Sequence, residues 1–218
     1  MNKLVVMLML YISALPAWAT QAKLENIRAE TSVPAVERGA EAFMNTCHGC
    51  HGLKYVRYRN LASFGIDKSK IDAWRGDQPL EASLTSLLPD DAAMQSFGLI
   101  PPDLSLITKA REGGTSYVYS FLTGYYLTPE GLPGNRVFPE TKMPDALGIG
   151  ALGIGGAADP ALHAELQGKA RDVVSFLAWA ADPHEEERHR LGYYVIGYLV
   201  ILTTLLYFVK RQVWSRLE

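Results

Sequence analysis

Cysteine is nearly absent from this 218-residue chain: it has two, Cys47 and Cys50. A small scaffold stapled by several disulfides is therefore excluded. Histidine is scarce as well, and beyond His48 and His51 only His163, His184 and His189 remain, scattered along the chain. A structural zinc site would want a second Cys or His pair at matching spacing, and none follows. An excess of positive charge is also missing. Between Thr20 and Arg190 there are 22 acidic and 17 basic residues, a formal charge of −5. That balance argues against nucleic acid as a partner and gives a mildly acidic surface suited to steering a basic soluble protein. Finally, no alternating polar and apolar stretch of useful length appears, so an extended sheet is not expected.

What is present at the two ends describes an exported, tethered protein. Lys3 is followed by a short apolar core, Leu4 to Leu15, and by the small-x-small triplet Ala17-Trp18-Ala19, the pattern of a cleaved secretory signal. Twelve such residues are too few to cross a bilayer. Near the other end, Leu191 to Val209 carries no charge, and at 1.5 Å per residue it reaches about 28 Å, close to the hydrocarbon thickness. Lys210, Arg211 and Arg216 follow it directly, which places the C-terminus in the cytoplasm. The expected organisation is a signal peptide over 1–19, a periplasmic domain over 20–185, a transmembrane anchor over 186–210 and a cytoplasmic tail over 211–218. The roughly 165 exported residues suit one domain with its own core.

The two cysteines fall in Cys47-His48-Gly49-Cys50-His51, and Cys-x-x-Cys-His is the attachment pattern of a c-type haem. Two thiols one helical turn apart can add to the two vinyl groups of one porphyrin, and the imidazole that follows is held against the iron. A thioredoxin-like dithiol would instead follow a strand in a β-α-β setting. Here the motif ends a helical stretch, Ala35 to Phe43.

An electron-carrying haem needs a second strong axial ligand, commonly Met or His. Met1, Met7 and Met9 leave with the signal peptide, and Met44 shares the helix and the side of Cys47. Met94, in Asp90 to Gln95, reads as a helical surface or packing residue. Met143 precedes Pro144, which restricts its backbone to extended conformations and helps to project the side chain. Met143 is the expected ligand, with His163 as the alternative. A Met/His pair raises the potential and fills both axial positions, so the iron would relay electrons without performing bond chemistry.

Four segments, in order, are similar to the cytochrome c1 family, the haem-bearing subunit of quinol–cytochrome c reductase: Cys47 to His51 with Tyr58 to Leu61; Pro101 to Ile107 continuing through Arg111-Glu112-Gly113-Gly114 to Tyr125; Phe138-Pro139 with Met143-Pro144; and Phe176 to Pro183. The resemblance implies an all-α cytochrome c-like domain with long loops and one C-terminal transmembrane helix. It implies one haem c bound through Cys47 and Cys50, His51 and Met143 as iron ligands, and Arg111 beside a haem propionate. The Pro101-Pro102 segment would pack near the haem, its carbonyl accepting from the proximal imidazole. Implied partners are cytochrome b, a Rieske iron–sulfur protein and a soluble or membrane-bound cytochrome c, in a dimeric respiratory complex of the bacterial inner membrane. The sequence departs from the family at Glu112, where many relatives carry His, and in the repeat Leu147-Gly148-Ile149-Gly150 and Leu152-Gly153-Ile154-Gly155.

Two other functions compete. The chain could be a haem subunit of a terminal oxidase or a gas-sensing haem protein, which would bind carbon monoxide. It could also be a structural exported protein with a Cys47–Cys50 disulfide, which would be colourless. Gly148 to Gly153 spells a literal G-x-G-x-x-G, but no strand precedes it, so it is read as a mobile surface loop and not as a dinucleotide site.

Overall fold

The computed structural model describes residues 22–153 and 159–216. The expected signal peptide, the second copy of the Leu-Gly-Ile-Gly repeat beyond Gly153 and the last two residues lie outside the described residues. The chain is mostly helical, as expected, with two small sheets added.

Helix α1 (Val33–Thr46) starts after Ser32 with Pro34 in its first turn, where a missing N–H costs nothing. Its buried face carries Val36, Gly39, Ala40 and Phe43. After it come strand β1 (Leu53–Arg57), the single turn α2 (Tyr58–Leu61), α3 (Lys68–Arg75), strand β2 (Ser83–Leu84) and α4 (Asp90–Phe97). β1 and β2 pair antiparallel with an irregular register. Next are α5 (Ile107–Ala110), α6 (Gly114–Thr123) and the antiparallel strands β3 (Tyr125–Leu127) and β4 (Pro133–Asn135). The long α7 (Pro160–Ala181) is capped by Asp159, which accepts from the N–H of Ala161 (2.9 Å) and Leu162 (3.4 Å). Finally α8 (Glu185–Trp214) extends past both ends of the span read from sequence.

The core forms where α1 crosses α7. A Cβ on Gly39 would lie 1.9 Å from the Asp172 carbonyl oxygen, so only glycine permits this approach. Beside the crossing Arg38 makes a bidentate pair with Asp172, both contacts at 2.8 Å. The Phe43 and Phe176 rings lie 5.5 Å apart, and Trp179 stands edge-on to Phe64 at 4.4 Å. Before α1, an extended strap lies over α6 and α7. Its N–H groups at Glu25, Ile27 and Glu30 donate to the hydroxyls of Ser120, Ser116 and Ser175.

The helix expected from Asp103 to Arg111 is shorter: only Ile107–Ala110 is helical, and Arg111 is extended. Asp103 explains this, because its carboxylate accepts from the N–H of both Lys54 and Ser105 and so pins the preceding residues to β1. No residue of α8 is buried within the chain, and the helix is long and apolar enough to cross a membrane. Where α8 meets the domain, Asp182 accepts from Lys109 at 3.2 Å and from Arg188.

Candidate functional site

A cavity of about 410 Å³ opens between α1, α6 and α7, closed by the loops before α5 and after β4. The structure brings Cys47, Cys50, His51, Arg111 and Met143 together around it. Met94 is half exposed on α4, and neither it nor His163 is among the lining residues.

Cys47 caps α1, its N–H donating to the Phe43 carbonyl at 2.8 Å. The next turn keeps helical form, since Cys50 and His51 both donate to the Cys47 carbonyl, at 3.1 and 2.9 Å. Three residues along a helical turn return to the same side, so both thiols and the imidazole belong to one wall. The thiols are free of a disulfide, and burial pushes the Cys47 thiol up to about 11.

His51 is buried, with Nδ1 2.8 Å from the Pro102 carbonyl. A carbonyl can only accept, so Nδ1 carries the hydrogen and Nε2 keeps its lone pair. Burial lowers the imidazole's proton affinity, against the opposing pull of the Pro102 carbonyl and Asp103. The Pro102 carbonyl is held in place because Leu104 N–H donates to the Gly52 carbonyl (2.9 Å) and Asp103 clasps β1.

Arg111 is exposed at the rim, its guanidinium 5.7 Å from the Tyr117 ring centroid, within reach of a cation–π contact. The chain turns sharply after it through Gly113 and Gly114, at φ +87° and +53°, values that side-chain-bearing residues rarely adopt. Met143, half-buried, stands on the loop after β4. Its N–H donates to Thr141 Oγ1 (3.2 Å) and its carbonyl accepts from the Tyr125 hydroxyl (2.9 Å). Burial pushes the Tyr125 phenol up to about 12, so it remains a donor at neutral pH. The remaining walls are mostly apolar, from Val118, Leu122, Val173 and Leu177 among others, with Glu140 and Lys142 on the Met143 loop.

These residues fit a porphyrin. Two thiols lie beside an imidazole whose free nitrogen can bind iron, a thioether is available as a further donor, and a guanidinium at the rim can meet a carboxylate. Among the described residues, no group of three or more His, Cys, Asp or Glu side chains is gathered for a metal ion.

The Gly-rich segment differs from the mobile surface loop expected. In its described part, Ile149 and Gly150 are buried, and a Cβ on Gly150 would meet the Tyr125–Tyr126 backbone at 3.0–3.1 Å. Asp145 shapes this turn by accepting from the N–H of Gly148 (3.0 Å) and Gly150 (2.6 Å). The roles of Asp103, Thr141 and Tyr125 escaped the sequence reading. Their only signal there was position within the quoted segments, or two residues before Met143. His48 was also passed over. It is buried beside Tyr58, with Nε2 3.4 Å from the hydroxyl and Nδ1 without a partner among the described residues.

Comparison with known proteins gives a consistent result. The model of the Cytochrome C1 family matches residues 23–86 and 74–217. The cytochrome c1 of Allochromatium vinosum is 33% identical over 83% of this chain and 84% of its own length. That of Rhodospirillum rubrum is 30% identical over 83% and 81%. The mitochondrial cytochrome c1 heme protein of Neurospora crassa is 34% identical over 84% of this chain and 63% of its own. A solved chain titled "Hyperthermophilic respiratory Complex III" aligns at TM-score 0.47 and 19% identity, over 99% of this chain and 96% of that one. With a matching family model across most of its length and relatives of this identity, the chain belongs to the cytochrome c1 family.

Proposed function

We propose that the chain is the haem-bearing electron-transfer subunit of a quinol–cytochrome c oxidoreductase, taking an electron from a Rieske iron–sulfur protein and passing it to a cytochrome c. The observation that carries this reading is the convergence of Cys47, Cys50, His51 and Met143 on one apolar cavity. A haem c bound there supplies the one-electron exchange of its iron. Cys47 and Cys50 would hold the group covalently. His51 is oriented by the Pro102 carbonyl to offer Nε2 as proximal ligand. Met143 would offer its thioether to the iron, a donor that raises the potential and leaves no open site for small gases. Arg111 would pair with a propionate, while Val118, Leu122 and Leu177 would exclude water.

The domain over 20–185 would face the periplasm, with the anchor over 186–210 crossing the inner membrane and the tail over 211–218 in the cytoplasm. The apolar run in α8 and the basic residues after it support that orientation. Cytochrome b would be the membrane partner within a dimeric complex. A cytochrome b/c1 of Bradyrhizobium diazoefficiens is 31% identical over 83% of this chain and 33% of its own length.

Met143→Leu is the direct test. The variant should retain covalent haem, lose potential sharply and bind carbon monoxide when reduced. An unchanged potential, measured by redox titration, would remove Met143 from the iron. Ready carbon monoxide binding by the unmutated protein would favour the gas-binding alternative.

A further inference from the structure

The segment that carries Met143 lies outside helices and strands, so its position depends on individual contacts. Its N–H is held within the loop by Thr141, but its carbonyl is held from outside, by the phenol of Tyr125. Tyr125 is 4% exposed and belongs to β3, paired with β4. Its ring stands edge-on to Phe121 at 5.7 Å. Asn135 fastens the hairpin, its amide donating to the Phe121 carbonyl at 2.8 Å and its oxygen accepting from Val137 and Phe138. The phenol is therefore presented from a rigid base. On the far side of Met143, Asp145 and Gly150 press the loop against the same strand. A buried hydroxyl and a partly buried carbonyl satisfy each other here, and losing one leaves the other unpaired.

We propose that Tyr125 is a positioning residue for Met143, its phenol bracing the Met143 carbonyl so that the thioether stays at its axial position. This rests on the reading of Met143 as an iron ligand. A neutral thioether is easily displaced, so its retention depends on the loop that carries it. Opening the loop breaks the Tyr125 hydrogen bond, and removing that bond should favour ligand loss by about fivefold.

The test uses the full chain with haem attached, in four forms: unmutated, Tyr125→Phe, Tyr119→Phe and Met143→Leu. Tyr119 is equally buried, and among the described residues its hydroxyl has no hydrogen-bond partner, so it controls for loss of any buried phenol oxygen. The readouts are the weak far-red absorption of the ferric iron–sulfur bond, the alkaline pH at which it disappears, and carbon monoxide binding to the reduced protein. Tyr125→Phe should keep the band at neutral pH, lose it about 0.7 pH unit earlier and bind carbon monoxide about fivefold more readily. Tyr119→Phe should match the unmutated protein. Unmutated behaviour in Tyr125→Phe would overturn the proposal, and so would an equal shift in Tyr119→Phe. Should Tyr125→Phe fail to accumulate with haem, Asn135→Ala decides, because Asn135 fastens the hairpin that presents the phenol. Early loss of the band would support the proposal, and normal behaviour would overturn it. The ligand reading is separately exposed. If the unmutated protein lacks the band, or Met143→Leu retains it, Met143 is not the ligand and the proposal falls with it.

Discussion

At His51 the orientation of one imidazole depends on a backbone carbonyl fifty-one positions later, and that carbonyl depends in turn on Asp103. Asp103 accepts from Lys54 N–H at 2.8 Å and from Ser105 N–H at 3.0 Å, joining the Pro101-Pro102 segment to β1 just beyond the Cys-His motif. Because the carboxylate is exposed, water compensates part of its loss. Asp103→Ala should lower stability by about 1–2 kcal/mol, measured by denaturant unfolding of the haem-loaded protein. Asp103→Asn, which retains an acceptor oxygen, should recover part of that. The cysteines and His51 were legible from sequence because their geometry is set within five consecutive residues. Met143 was reachable by elimination, there being so few methionines. Tyr125 and Asp103 were not. Each acts on a backbone group brought near only by folding, and side-chain type carries little information about such a meeting.

Among the elements, α1 and α7 decide the shape of the site. Cys47 ends α1, and Val173 and Leu177 of α7 line the cavity, so the crossing at Gly39 sets its width. Gly39→Ala would force a methyl group into the Asp172 carbonyl and push the helices apart. Its cost should be about 3 kcal/mol, seen as a lowered denaturation midpoint and poorer haem incorporation. Unchanged stability would mean that the helices can separate freely. Both helices were legible from their apolar periodicity and flanking prolines. The two sheets were not, because strands of two to five residues are too short to show alternation. The Asp103-to-Arg111 stretch looked helical by pattern, yet the Asp103 carboxylate, bonded to Lys54 N–H of β1 and to Ser105 N–H, keeps its first part out of the helix.

For the molecule as a whole, the anchor is nearly independent of the domain it would tether. α8 has no residue buried within the chain, and its link to the domain is the Asp182 cluster with Lys109 and Arg188. Removing everything after His189 leaves Asp182 with both partners. The truncated protein should therefore be released as a soluble red species with an unchanged spectrum, checked by fractionation and absorption. Retention in the membrane would show that another surface binds lipid or a partner. The sequence by itself determined the covalent attachment motif, the apolar terminal helix and the family, because those signals are local or compositional. Only the tertiary structure decided that Pro102, of the two prolines expected near the imidazole, turns His51, how closely α1 meets α7 and what braces Met143. Those depend on contacts between residues far apart in the chain, where a few tenths of an ångström separate a hydrogen bond or close packing from none.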